Sequence, residues 1–187
     1  SANGIDFSNN TLNNNGNYAA RFSFTNGAFT SLAGNIGSGN GKNGIALYGS
    51  FGQNVTLPVN PGFPYIISSL TVNAGVTLTL PSNTVLKMEA SLTVNGSLVS
   101  AGTAQNPNYI TSLKDDSIGG DTNNDGTTTS PAPGDWYYIR INNSGKASFD
   151  YTMVRFGGST VVANRTILDL YQNAQAVLNN STVSYSQ

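Results

Sequence analysis

The pentapeptide Ser69-Leu70-Thr71-Val72-Asn73 occurs again as Ser91-Leu92-Thr93-Val94-Asn95, 22 residues further on. An internal repeat at such a period constrains the chain to a repeat architecture, because each unit buries its apolar face only against its neighbours. Between the two copies lie Val76 to Leu80 and Val85 to Met88, separated by the turn Pro81-Ser82-Asn83. Each period therefore reads as about three short strands joined by turns.

A second repeat lies toward the C-terminus. Trp136 to Phe156 aligns with Arg165 to Tyr185 at an offset of 29. Ile139 and Ile141 meet Leu168 and Leu170, Asn143 meets Gln172, Ala147 meets Ala176, Phe149 meets Leu178, Val154 meets Val183, and Phe156 meets Tyr185. The apolar positions coincide while the polar ones drift, as expected when inward positions are constrained and outward ones are free.

The repeat is built of strands and turns. No useful window carries apolar residues at helical spacing without Gly, Pro or Asn nearby, and the leucine-rich register with its helical segment is not evident. The expected fold is all-β: a right-handed parallel β-helix of about 22 to 29 residues per coil, each strand pairing with its equivalent one coil on. Asn73 and Asn95 fall at equivalent turns, where asparagines stack and bond as in cross-β ladders. The competing architecture is an antiparallel sandwich, which also gives strands every 8 to 12 residues or so.

Residues 1–187 read as a single domain. Residues 1–60 carry the weakest pattern and are expected as irregular N-terminal coils or a cap, with Gly34 to Gly44 as a flexible turn. Residues 65–187 are expected as regular coils with one long insertion over 114–135. The final strand is followed directly by Ser184-Tyr185-Ser186-Gln187, so the last coil is expected to be covered by a further part of the parent chain or by another copy.

Composition removes several function classes. The chain has no His and no Cys, which removes the commonest acid–base group, thiol catalysis, thiolate metal sites and disulfides. Its eight Lys and Arg are scattered and the net charge is −1, which argues against nucleic acid. No membrane span is visible, and the wealth of Asn, Ser, Thr and Gly fits a secreted or cell-surface protein.

The insertion holds the candidate site. Five of the nine acidic residues, Asp115, Asp116, Asp121, Asp125 and Asp135, fall between Lys114 and Trp136. Asp121-x-Asn123-x-Asp125-Gly126 places side-chain oxygens at positions one, three and five and a glycine at the turn, as at the start of a Ca²⁺ loop. The seventh ligand position would be the Thr127 carbonyl. The twelfth, normally a bidentate acid, is Ala132, so this is not an EF-hand. The remaining oxygens must come from Asp115, Asp116 or Asp135, brought back by the turn Pro131-Ala132-Pro133-Gly134. The expected metal set is Asp115, Asp116, Asp121, Asn123, Asp125 and Asp135. Ca²⁺ suits them because it takes roughly six to eight hard oxygens. It would also offset the repulsion of crowded carboxylates and the entropy of ordering a long loop.

No catalytic motif emerges. Asp150, Arg155, Arg140 and Lys114 are available charged groups, but none lies in a recognisable arrangement. Trp136, Tyr137 and Tyr138 are adjacent, so at least one faces outward and could stack on a sugar ring. The simpler expectation is that Trp136 anchors the end of the loop on the core.

The order of features resembles the right-handed parallel β-helix repeat proteins of bacterial surfaces, within the broad pectin-lyase-like fold group. The matching runs are S-L-T-V-N-A-G-V-T-L-T-L-P (69–81), L-T-V-N-G-S-L (92–98), T-S-L-K-D-D-S-I-G-G-D-T-N-N-D-G (111–126), P-G-D-W (133–136) and F-D-Y-T-M-V-R-F-G-G (149–158), spanning residues 65–158. The resemblance implies a right-handed solenoid in a secreted or surface-anchored protein. It implies no particular activity, since that fold group holds both enzymes and inert scaffolds. The expected role is structural or adhesive, with a carbohydrate-binding module and a polysaccharide lyase or hydrolase as the alternatives.

Overall fold

The structure, a computed structural model, describes residues 4–161 and 166–187. Arg165, at the start of the second repeat, lies outside the described residues. The described residues form nineteen strands and no helix. Every strand pair among them is parallel, which excludes the antiparallel sandwich. No helix is long and apolar enough to cross a membrane.

The repeats of the sequence are the registers of the sheets. Leu70, Thr71 and Val72 of one pentapeptide pair with Leu92, Thr93 and Val94 of the other. The same ladder continues to Ile139 and then Leu168. A second ladder runs through Leu78, Leu98, Ala147 and Ala176. A third runs through Ile45, Tyr65, Leu86, Ile110, Val154 and Val183. Alternate residues of a strand face opposite sides. The inward set, including Leu70, Leu78, Leu86, Leu92, Ile110, Ile139 and Phe149, is buried in one continuous core. Those burials supply the main favourable term, at roughly 1.5–3 kcal/mol per large side chain.

The N-terminal segment pairs in the same way. Ala20 pairs with Ile45, and Thr11 with Ile36. Ile36–Ser38 is a strand, so the stretch read as a flexible turn is ordered by pairing. The physical reason is asparagine. Asn35 and Asn40 are buried, and each side chain closes a set of hydrogen bonds between successive rungs. Asn35 Oδ1 accepts from the Asn10 backbone N–H and from Asn10 Nδ2, both at 3.0 Å. Asn35 Nδ2 donates to the Phe7 and Leu32 carbonyls at 2.7 and 2.8 Å. Asn60 Oδ1 in turn accepts from the Asn35 N–H at 3.2 Å, again 25 residues on. Asn15 and Asn40 repeat the arrangement alongside, also at a spacing of 25. Asn108 plays the same part later, accepting from the Thr84 N–H at 2.9 Å.

Asn73 and Asn95 also join inter-rung pairs, but not with each other. Asn73 Nδ2 donates to Asn26 Oδ1 at 2.8 Å, and Asn142 Nδ2 to Asn95 Oδ1 at 2.7 Å.

At the C-terminal end, residues whose partners one rung back are buried become exposed. Leu178 is 41% exposed where its register partner Phe149 is 1%, and Val183 is 41% where Val154 is 3%.

The insertion leaves after the strand Asn108–Ser112 and returns at Trp136, before the strand Ile139–Ile141. Its far turn, residues 126–130, is exposed, but its first half packs against the sheet. It folds back across the outer side of the third ladder as far as Asn43, whose N–H donates to the Thr122 carbonyl at 2.7 Å and whose Nδ2 donates to the Asp121 carbonyl at 3.3 Å. The outward residues Ala46, Ile66, Lys87 and Thr111 are all fully buried, although they lie on the face of the sheet opposite the apolar core.

Candidate metal centre

The loop is closed at its base by Trp136 and Asp135. Trp136 is fully buried, and its indole N–H donates to the Arg155 carbonyl at 2.9 Å. Asp135 accepts from Ser112 Oγ at 2.6 Å, from Lys114 Nζ at 2.7 Å and from the Ala132 N–H at 3.0 Å. Its own N–H bonds the Phe156 carbonyl at 3.0 Å. Tyr137 remains 38% exposed on the sheet.

Asp115 fixes the near side of the loop. Its Oδ2 accepts from Thr111 and lies 2.7 Å from Arg155 Nη2, and its Oδ1 accepts from Ser117 at 2.6 Å. Burial opposes ionisation of Asp115, but the hydroxyls of Ser117 and Thr111 and the Arg155 guanidinium outweigh it. Its pKa therefore lies below the ordinary carboxylate value. Asp115 and Asp135 are thus both committed to ion pairs within the protein.

Three other acids converge. Carboxylate oxygens of Asp116, Asp121 and Asp125 lie within 4.8 Å of one another. The turn that brings them together is organised by Asp121, whose Oδ1 accepts from the Asp125 N–H at 3.1 Å and whose Oδ2 accepts from the Gly126 N–H at 2.9 Å. Asn124 and Gly126 adopt the left-handed conformation, at φ of 54° and 69°. Asn123 Nδ2 donates to Asp125 Oδ2 at 2.7 Å and to Thr129 Oγ1 at 3.0 Å, while its carbonyl oxygen has no donor.

The consequence is a local deficit of donors. Asp116 Oδ1, Asn123 Oδ1 and Asp125 Oδ1 are enclosed and have no hydrogen-bond partner. Buried acceptors left without a donor cost roughly 1–3 kcal/mol each, and more when charged. Burial, followed by the like charges of Asp121 and Asp125, pushes the Asp116 carboxyl above its ordinary value, with Lys87 pulling the other way. These oxygens, with those of Asp121, form a set of hard donors suited to an alkaline-earth cation.

Of the six expected ligands, the fold therefore gathers Asp116, Asp121, Asn123 and Asp125, and it engages Asp115 and Asp135 elsewhere. Lys87 is the member that sequence reasoning passed over. It lies in the strand Val85–Met88 and is fully buried beneath the loop. Its ammonium donates to the Asp115 carbonyl. The signal available was a lysine inside the apolar run Val85-Leu86-Lys87-Met88, but what covers it is set by a segment some thirty residues away.

The charged groups considered for catalysis are also paired off. Arg155 binds Asp115 rather than Asp150, Lys114 binds Asp135, and Arg140 binds Asp169 at 2.9 Å. Compared with protein-family models, curated proteins and solved structures, the chain matches none of them.

Proposed function

We propose that the chain is a structural or adhesive module of a secreted or cell-surface protein: a right-handed parallel β-helix whose long loop is held by Ca²⁺. The solenoid reading is supported by three parallel ladders whose registers follow the sequence repeats. The Ca²⁺ reading is carried by the enclosed oxygens of Asp116, Asn123 and Asp125, which have no donor within the protein. A bound cation would satisfy all three and relieve the repulsion among Asp116, Asp121 and Asp125. Cations that bind the native state alone stabilise it by mass action, so a Kd of about 10 µM in 1 mM Ca²⁺ would add about 2.7 kcal/mol. Calorimetry is expected to find one Ca²⁺ per chain, and chelation to lower the melting temperature. Silent calorimetry with an unchanged melting temperature overturns the reading.

The exposed last rung supports a partner at the C-terminal end, either a further part of the parent chain or another copy of this one. Light scattering of the chain alone tests the second case, and a strict monomer at high concentration excludes it.

One observation favours carbohydrate binding as a second reading. The Arg140 guanidinium lies 4.1 Å from the Tyr138 ring centroid and 4.8 Å from that of Tyr171, and Tyr171 is 44% exposed. This rigid stack presents aromatic surface to solvent. Polysaccharide pull-down separates the readings, because a pure scaffold retains no glycan.

A further inference from the structure

Lys87 is the group in the molecule whose burial most needs a reason. A fully buried ammonium costs several kcal/mol unless negative groups surround it. Its burial lowers the pKa to about 8, and Asp115 and Asp116 oppose that fall. It is not needed to neutralise Asp115, which Arg155 already pairs, nor Asp135, which Lys114 pairs. Of the loop's five acids, Asp116, Asp121 and Asp125 stand in none of the ion pairs among the described residues, and they lie together. Gly119 brings the loop backbone down onto Lys87, where a side chain's first carbon would sit 3.3 Å from Lys87 Cε.

Three carboxylates and one ammonium leave a net charge of two negatives, which a divalent cation cancels. We propose that Lys87 is a specificity-determining residue of the metal centre: a fixed positive charge beneath the cluster that matches it to a divalent cation and holds back a trivalent one. The inference rests on the Ca²⁺ reading above and assigns a role within it. Lys87 is not a ligand. It acts through the field it adds at the ion, and affinity in such sites follows the charge of the ligand set.

The Coulomb energy of a fixed charge with an ion scales with the ion's charge. Removing Lys87 must therefore favour a trivalent ion more than a divalent one. The probes are Ca²⁺ and Tb³⁺, a trivalent ion with similar oxygen-ligand demands, titrated by calorimetry and by terbium luminescence. If Lys87→Met tightens Ca²⁺ binding about tenfold, the same field predicts about thirtyfold for Tb³⁺, so the preference for terbium rises about threefold. Lys87→Gln, which is one atom shorter but keeps an N–H donor without the charge, carries the same expectation where the methionine variant does not fold. A merely structural lysine would not move the ratio of the two affinities. Unchanged or weakened affinities for both ions in the variants, with wild type still binding Ca²⁺, overturn the role of Lys87 and leave the metal centre standing. No Ca²⁺ binding by the wild type overturns the metal centre itself.

Discussion

The N-terminal rungs and the acidic loop both bring polar groups into an apolar β pattern, and they settle them in opposite ways. In the N-terminal rungs each buried asparagine gives and receives within the protein: Asn35 makes hydrogen bonds to Asn10, Phe7, Leu32 and Asn60. In the loop, Asp116, Asn123 and Asp125 each keep an enclosed oxygen with no donor. An amide carries donors and acceptors in one group and so can be satisfied by copies of itself one rung away. An ionised carboxylate only accepts, so carboxylates gathered together need a cation or an external donor. One region satisfies its buried polar groups within the protein; the other leaves three enclosed oxygens without a donor.

The largest expected effect breaks the self-satisfied side. Asn35→Ala removes the one acceptor shared by the Asn10 backbone N–H and Nδ2, and takes a donor from each of the Phe7 and Leu32 carbonyls. Net hydrogen bonds contribute about 1 kcal/mol each, and stranded buried groups cost more. A loss of about 3–5 kcal/mol in urea unfolding is expected, the same with and without Ca²⁺. A dependence on Ca²⁺ would mean that the two regions are coupled and the contrast is false.

The next effect tests the side whose acceptors lack donors. Asp116→Asn keeps an oxygen but removes one of the crowded charges. In chelator the variant is expected to equal or exceed the wild type in stability, by up to about 1 kcal/mol, because like charges are relieved. In 1 mM Ca²⁺ it is expected to lose most of the stabilisation, about 2 kcal/mol, that the ion gives the wild type. Paired melts with and without EDTA read both numbers. A variant equally destabilised in both conditions would show that Asp116 serves the fold and not an ion.

These contrasts bear on what the sequence alone conveys. The ladders were legible because identical or similar apolar residues recur at offsets of 22 and 29: Leu70 with Leu92, and Ile139 with Leu168 and Val154 with Val183. Phe156 and Tyr185, aligned at that same offset of 29, stack with centroids 4.9 Å apart. The N-terminal rungs were less legible because their repeat is carried by asparagine. Asn10, Asn35 and Asn60 recur every 25 residues, but in so Asn-rich a chain the spacing is hidden among residues that normally mark turns. In the loop, composition pointed to an acidic cluster, yet it could not divide Asp115 and Asp135 from Asp116, Asp121 and Asp125. That division depends on Lys114 and on Arg155, which reaches Asp115 from 40 residues away in the sequence. The burial of Lys87 was hidden for the same reason: strand alternation assigns it an outward face, and only the loop's return path makes that face an interior.

The smallest effect compares two glycines in the same conformation. Gly34, between the N-terminal rungs, and Gly126, in the loop, both have φ of 69°. An alanine there carries the left-handed cost of about 1–2 kcal/mol whatever surrounds it. Their surroundings differ: a side chain at Gly126 meets open space, while at Gly34 it meets Asn9 Oδ1 at 2.2 Å. Asn9 is exposed and its amide can swing aside, so the added cost at Gly34 is small. Both variants are expected to lose about 1 kcal/mol in chelator. They should part only when Ca²⁺ is added. Gly126 donates its N–H to Asp121 Oδ2, so strain there displaces a carboxylate of the cluster and reduces what the ion contributes. Gly34 faces Asn9, which takes no part in the acidic cluster, so its loss should not change. Equal responses of the two variants to Ca²⁺ would place the ion, if one binds, away from the Asp121 turn.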